Sequence, residues 1–281
     1  MQIGWPEIGG DTGKFFKAPP KLPSVARFSV CSSHPPKLTS ALFLAERIHL
    51  ALVDLSNGSS IFTGCDSSRR PLQGHGHAHI FCESDPRQDG RGEITHATVY
   101  ARLGFGPREQ EALQRLGRVW GPDELEVELA LQELGRPEDF GDSALLARSR
   151  AWVSRTPFVS ARHPKRTRAG VAKMDESGLQ IGSPEHELRR LLGLAGFPRI
   201  ELVEPVAGTM LGGREVPWHA FLRRRERGEG RPAANGAGYG FRIEFTEAVQ
   251  GPVAVGYASH FGMGEFEKAE DNNNIACDAK R

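Results

Sequence analysis

The 281-residue chain reads as an α+β protein of two tandem ferredoxin-like βαββαβ domains, the second degenerate, with a glycine-rich loop near the carboxyl end. Three observations predict this. Over residues 25–132 the apolar period alternates between two and about 3.6 in the order strand, helix, strand, strand, helix, strand. The same order starts again at Trp152, with Gly- and Ala-rich sequence where the second helix is due. Composition, 38% hydrophobic and 25% charged, is that of a globular protein long enough for two modest cores.

Residues 1–23 are rich in Gly, Pro and Lys and hold no sustained period, so they are expected as a flexible tail or the remnant of a linker. The first domain is expected over residues 24–140. Val25–Cys31 is its first strand. Pro35-Pro36 breaks it before a helix over about 39–55, with Leu42, Ala45, Ile48, Leu52 and Leu55 on one stripe and Asn57-Gly58 as the stop. A polar loop through Cys65 and Arg70 leads to the histidine strand within the stretch 69–81, RRPLQGHGHAHIF, expected as the second strand, and 93–103 is expected as the third. Gly106-Pro107 opens the next helix with Glu109 and Glu111 in the first turn, where the helix dipole favours acid, and Gly121-Pro122 closes it. In the last strand, 124–132, Leu125, Val127, Leu129 and Leu131 alternate with Glu124, Glu126, Glu128 and Ala130, so one face packs and the other meets water. RRM-like modules that bind RNA use this sheet, but the fold alone assigns no function.

The second domain is expected over residues 141–268. Residues 152–160 are strand-like; Ser183-Pro184 supplies an N-cap and first helical position, and Leu188, Leu191, Leu192 and Ala195 carry the helix to Gly196. Strands are expected at 200–204, 216–223 and 241–246, with a loop over 228–240, and residues 269–281 as a disordered polar tail.

Charge divides the chain. Residues 1–142 hold 15 basic and 19 acidic side chains and residues 143–281 hold 21 and 16, so the second half is the expected polyanion binder. Residues 143–174 include Arg148, Arg150, Arg155, Arg162, Lys165, Arg166, Arg168 and Lys173 without one acid. No apolar run is long enough to span a membrane, and the amino terminus lacks the pattern of a signal peptide. Cys31, Cys65, Cys82 and Cys277 form no CxxC pair, which fits reduced thiols in a cytoplasm.

His75, His77 and His79 occupy every second position, which in a strand places three imidazoles on one face beside Arg69 and Arg70. Such a row can exchange protons next to an anion; it can also be a half-exposed His-rich strand, or a metal site. Neighbours on one strand face are about 6.5–7 Å apart, wide for sharing one ion, so no metal and no cofactor is assigned. Residues 251–266, GPVAVGYASHFGMGEF, place His260 and Phe261 among Gly256, Gly262 and Gly264; this segment can cradle phosphate and stack a base, or serve a bulged hairpin.

Together, RPLQGHGHAHIF, ITHATVYARLGF (94–105), RTPFVSARHPKR (155–166) and GPVAVGYASHFGMGEF resemble the CRISPR-associated endoribonucleases that cut precursor CRISPR RNA within its repeats. The likeness covers residues 25–266 and is greatest to the type I-U (I-G) version, in which the nuclease is usually fused behind a backbone subunit of the surveillance complex; that subunit is not part of this sequence. The resemblance implies CRISPR repeat RNA as substrate, other type I surveillance-complex subunits as partners, and metal-independent cleavage to 2′,3′-cyclic phosphate and 5′-hydroxyl ends. It places His77 first and His75 second as proton-transfer groups. Arg69, Arg70, His79, Arg162, His163, Lys165, Arg166, Arg168, Gly256, His260, Phe261, Gly262 and Gly264 are the expected RNA contacts, with His96 and His163 as lesser catalytic candidates. The family often pairs its histidine with a lysine or tyrosine, which has no counterpart near this motif. Two other readings stand beside it: an RNA-binding subunit that does not cut, and a metal-dependent hydrolase drawing acid from Asp66, Glu83 or Asp85.

Overall fold

The computed structural model describes residues 22–72, 76–85, 91–121, 126–221, 224–225 and 236–270. β1 (Val25–Cys31) leads through a 3-10 turn (Leu38–Ser40) into α1 (Ala41–Leu55). Of the expected stripe, Leu42, Ala45, Ile48 and Leu52 are fully buried and Leu55 partly so, each fully buried Leu or Ile contributing about 1.5–3 kcal/mol by leaving water. Asn57 and Gly58, both left-handed, end the helix. The one-turn α2 (Ser60–Thr63) is capped by the Ser59 hydroxyl, which accepts from Ile61 N. Then come β2 (His79–Glu83), β3 (His96–Tyr100), α3 (Pro107–Arg115), β4 (Arg118–Trp120) and β5 (Glu126–Gly135). They form an antiparallel sheet in the order β2-β3-β1-β5-β4. Without β4 this is the strand order of a ferredoxin-like unit.

Several expected boundaries shift. The histidine strand starts only at His79, because residues 66–72 close a turn on Asp66, whose carboxylate accepts from Ser68 N and Arg70 N. The third strand is shorter than 93–103 at both ends. The second helix stops at Arg115 rather than Gly121, and the residues between form β4, which pairs with β5. In β5, Val127 and Leu129 are buried while Glu126, Glu128 and Ala130 are exposed, as the alternation requires; Glu124 and Leu125 lie outside the described residues.

The second half comprises β6 (Arg148–Ser154), β7 (Phe158–Val159), α4 (Pro184–Leu194), β8 (Ile200–Val206), β9 (Gly208–Leu211), β10 (Arg214–Pro217), β11 (Gly238–Gln250), β12 (Val253–Ala254) and β13 (Glu265–Lys268). Its sheet runs β12-β13-β6-β11-β7, with β8 also paired to β11, so β13-β6-β11-β8 repeats the order β5-β1-β3-β2. Leu188 and Leu192 of α4 pack with Trp152, Ile243 and Phe245, and Ser183 caps α4 by accepting from His186 N. The expected strand at 152–160 is two strands separated by Arg155, Thr156 and Pro157. Residues 216–223 are not one strand: β10 closes a hairpin with β9 across Gly212-Gly213, and Trp218–Ala220 turn as a 3-10 segment. Most of the loop expected at 228–240 lies outside the described residues, and its end, from Gly238, belongs to β11.

One face of the first sheet, through Phe28, Ile80, Ala97, Val99, Val127 and Leu129, shares a core with α1 and α3. By strand alternation the other face carries His79, Phe81, Glu83, Thr98 and Tyr100. Phe140, Leu145 and Leu146, from the connection, cover part of it. Buried Arg155 ties the halves, donating to Ser84 O on one side and to Met210 O and Thr209 Oγ1 on the other. No helix among the described residues is long and apolar enough to cross a membrane.

Candidate active site

His77 precedes β2 in irregular backbone, yet the two-residue repeat still sets its ring over that of His79: the centroids are 6.3 Å apart and the planes 17° from parallel. The row continues to Phe81, 5.8 Å from His79 at 12°. Gly64 allows this placement. It is left-handed (φ 68°), and a side-chain carbon there would stand 3.1 Å from the His77 ring.

The second half completes the group. Between β12 and β13 the chain turns through a 3-10 segment, Ser259–Phe261, and leaves it at Gly262 (φ 74°), which passes the Ile80 carbonyl so closely that a side-chain carbon would come within 3.1 Å of it. This turn puts the His260 ring 3.5 Å from His77 and 3.8 Å from His79, centroid to centroid, so His260 lies between them. Its Nδ1 is 3.1 Å from the Ala78 carbonyl. A carbonyl only accepts, so in the neutral ring Nδ1 carries the hydrogen and Nε2 presents the lone pair. Rings at such spacing cannot all be cationic without strong repulsion, so a proton gained by one is withheld from its neighbour.

His49 of α1 closes the group from the helix side, its ring 5.1 Å from Phe261 in an edge-on contact. Burial first, then the charges of Arg225 and His77, lower its pKa to about 4, which keeps it neutral at physiological pH. Arg225 lies 4.0 Å over the Phe261 ring and is ion-paired through Nε to Glu46 at 2.7 Å. The site therefore draws on α1, the approach to β2, and the glycine-rich turn.

Of the expected catalytic pair, His77 is in this group and His75 lies outside the described residues. Arg69 and Arg70 are exposed in the Asp66 turn that precedes the histidine row, Arg70 paired with Asp66 at 3.0 Å. His96, a lesser candidate, is buried beside the Thr95 hydroxyl on β3, its pKa lowered by burial and then by Arg27. Arg162, His163, Lys165, Arg166 and Arg168 occupy a wholly exposed stretch, residues 161–170, in which Arg162 reaches Glu187 (3.5 Å) and Arg166 the Gly170 carbonyl. Phe261 is buried against Arg225 and His49, so the base stacking expected of it is not available. Gly262 and Gly264 are buried as well: their close approaches are to the Ile80 and Val255 carbonyls, not to an open ligand face.

The acids that a metal site would require are otherwise engaged. Glu83 accepts from Arg27, Thr98 and Ser143, and Asp66 holds its turn, with the Arg70 backbone N–H foremost in lowering its pKa. Stacked imidazoles present faces to one another, so their in-plane lone pairs do not converge, and no metal-binding group of His, Cys, Asp or Glu occurs among the described residues.

Sequence reading missed His49, Glu46 and Arg225. His49 adjoins Ile48 of the apolar stripe, and a histidine at the margin of a buried helix face was the available signal; Arg225 carried none.

No family model matches the chain, and no curated protein matches it in sequence. Among solved structures, a CRISPR associated protein Cas6 is similar at 7% identity and TM-score 0.42, over 88% of this chain and 98% of that one. An RAMP protein binding different RNA substrates is similar at 12% identity and TM-score 0.41, over 88% and 98%. A third similar structure, from the characterization of a Cas6-related gene from Pyrococcus furiosus, has 11% identity and TM-score 0.40, over 89% and 99%. At these values the likenesses carry neither substrate nor mechanism over to this chain.

Proposed function

We propose that this chain is an endoribonuclease that cleaves precursor CRISPR RNA within its repeats, without a metal ion, and works beside other subunits of a type I surveillance complex. The observation that carries this reading is the stack of His77, His260 and His79, assembled from both halves, with an exposed basic stretch in the same protein. One imidazole takes the proton of a 2′-hydroxyl as that oxygen attacks the adjacent phosphorus. The bond from phosphorus to the 5′-oxygen breaks, and the leaving oxygen takes a proton from a second imidazole, giving a 2′,3′-cyclic phosphate and a 5′-hydroxyl. His77 and His260 are assigned these two roles, His79 positions them, and Arg225, which lies over Phe261 beside His260 in the chain, is a source of positive charge for the phosphate. The motifs of residues 69–81 and 251–266, which carry the family resemblance, contain these histidines.

End-labelled RNA bearing the CRISPR repeat, incubated in EDTA with saturating protein, tests the reading. Cleavage at one site with cyclic-phosphate ends, blocked by a 2′-deoxy nucleotide at that site, is expected. Activity that vanishes in EDTA and returns with zinc or magnesium would overturn metal independence, and tight binding without cleavage would make the chain a binding subunit.

A further inference from the structure

A cleft of about 620 Å³ lies between the outer face of the first sheet and α4, within the roughly 300–1,000 Å³ of small-molecule sites. His79 belongs to its wall as well as to the imidazole stack. Tyr100 of β3 and Tyr257 of the glycine-rich segment line it, with Arg102, Arg162 and Arg190. Glu187 is the one carboxylate among the lining residues, and it is already committed: 2% exposed, it meets Arg190 at 2.8 Å, Arg162 at 3.5 Å and His186 at 3.4 Å. Three guanidiniums against one carboxylate leave the cleft positive, and two phenol rings line it.

That combination suits a nucleotide: a base against an aromatic ring and a phosphate on arginine. A free nucleotide and a nucleotide of bound RNA share this chemistry. The position favours RNA, because the ring of Tyr100 is 6.4 Å from that of His79, so an occupant of the cleft adjoins the end of the imidazole stack. We propose that the cleft is a nucleoside subsite holding one splayed-out base of the substrate RNA next to the scissile phosphate, with Tyr257 as stacking platform and Arg102 as phosphate partner. It rests on the nuclease reading for the identity of its neighbour, and extends it by naming what sets the register of the cut.

The test places 2-aminopurine singly along the repeat RNA and reads its fluorescence on the full chain, beside the cleavage assay and a titration of AMP, CMP, GMP and UMP. One position at or next to the cut should be quenched. Tyr257→Ala should abolish that quench and weaken binding by about 5- to 150-fold, the loss of one stacked base. Arg102→Ala, at an exposed position where folding is not at stake, should weaken the same interaction, and Tyr257→Trp should restore it. Cleavage with no position responding to either alanine variant overturns the subsite and leaves the nuclease standing. A responding position without cleavage keeps the subsite and removes the nuclease. Tight binding of a free monophosphate with unresponsive RNA makes the occupant a free nucleotide and overturns the proposal; no response in any assay overturns both readings.

Discussion

The two halves repeat one strand order and differ most tellingly in one crossover. In the first, the stretch between the third and fourth strands is α3, whose Ala112 and Leu113 are buried in that half's own core. In the second, the corresponding stretch between β11 and β13 is the glycine-rich turn, and its Phe261 and Met263 are buried in the first half's core, along with Val159, Leu211, Trp218 and Phe221. One half closes on itself while the other reaches across. The missing helix is therefore a change of use: the segment released from covering its own sheet now delivers His260 to His77 and His79.

The sharing of the stack between the two halves can be broken most directly at its histidines. His77→Ala should slow single-turnover cleavage by about 10²–10⁴-fold with RNA affinity within a few-fold, because a proton-transfer group acts in the transition state. His260→Ala should match it, and the double variant should be no worse than the poorer single one. If His260→Ala cuts at the wild-type rate, the second half contributes only binding. A smaller effect sharpens the other side: replacing Arg162, Lys165, Arg166 and Arg168 together by Ala should leave the saturated rate alone but weaken binding. The slope of log affinity against log salt should flatten by about 0.7 for each phosphate of a single-stranded RNA that is no longer neutralised. An unchanged slope would make this stretch a solvated face.

The smallest expected effect lies at the junction. Glu265 of β13 is 1% exposed, and its Oε2 has no hydrogen-bond partner among the described residues. Burial first, then Glu83 and Glu267, raise its pKa well above the ordinary carboxyl value of 4.5 despite Arg155. The folded state thus keeps a proton that the unfolded state gives up. Stability is full below pH 4.5 and declines as pH rises toward the raised value, by at most about 1.4 kcal/mol per pH unit. Glu265→Gln should remove that decline, seen as a higher melting temperature at pH 7–8 and none near pH 4. Equal melting curves at both pH values would show that the carboxyl ionises freely.

How much the sequence disclosed depended on whether the controlling forces were local. β1 begins and ends at the expected residues, α1 buries its predicted stripe as far as Leu52, and the Ser183 cap is where the residue types put it. β4 was hidden because three residues carry too little period to read. The β9–β10 hairpin had a legible sign, Gly212-Gly213 with both φ positive, between two strands joined by that two-residue turn. The histidine row was legible as a row, since the spacing of two survives without a strand under His77. That His260 fills it was not: the contact of His260 with Ala78 spans 182 residues, and nothing local selects it. Phe261 looked like a ligand platform for the same reason, because its burial depends on Arg225 and His49 from other elements.

The reach of the glycine-rich turn also orders events in time. A chain leaving the ribosome has made α1, β2 and β3 long before residues 259–263, so the first half's core stays incomplete while most of the second half is being synthesised. His77 has no His260 beside it during that interval. The same packing that stabilises the finished molecule therefore delays assembly of the histidine stack until synthesis has passed Met263.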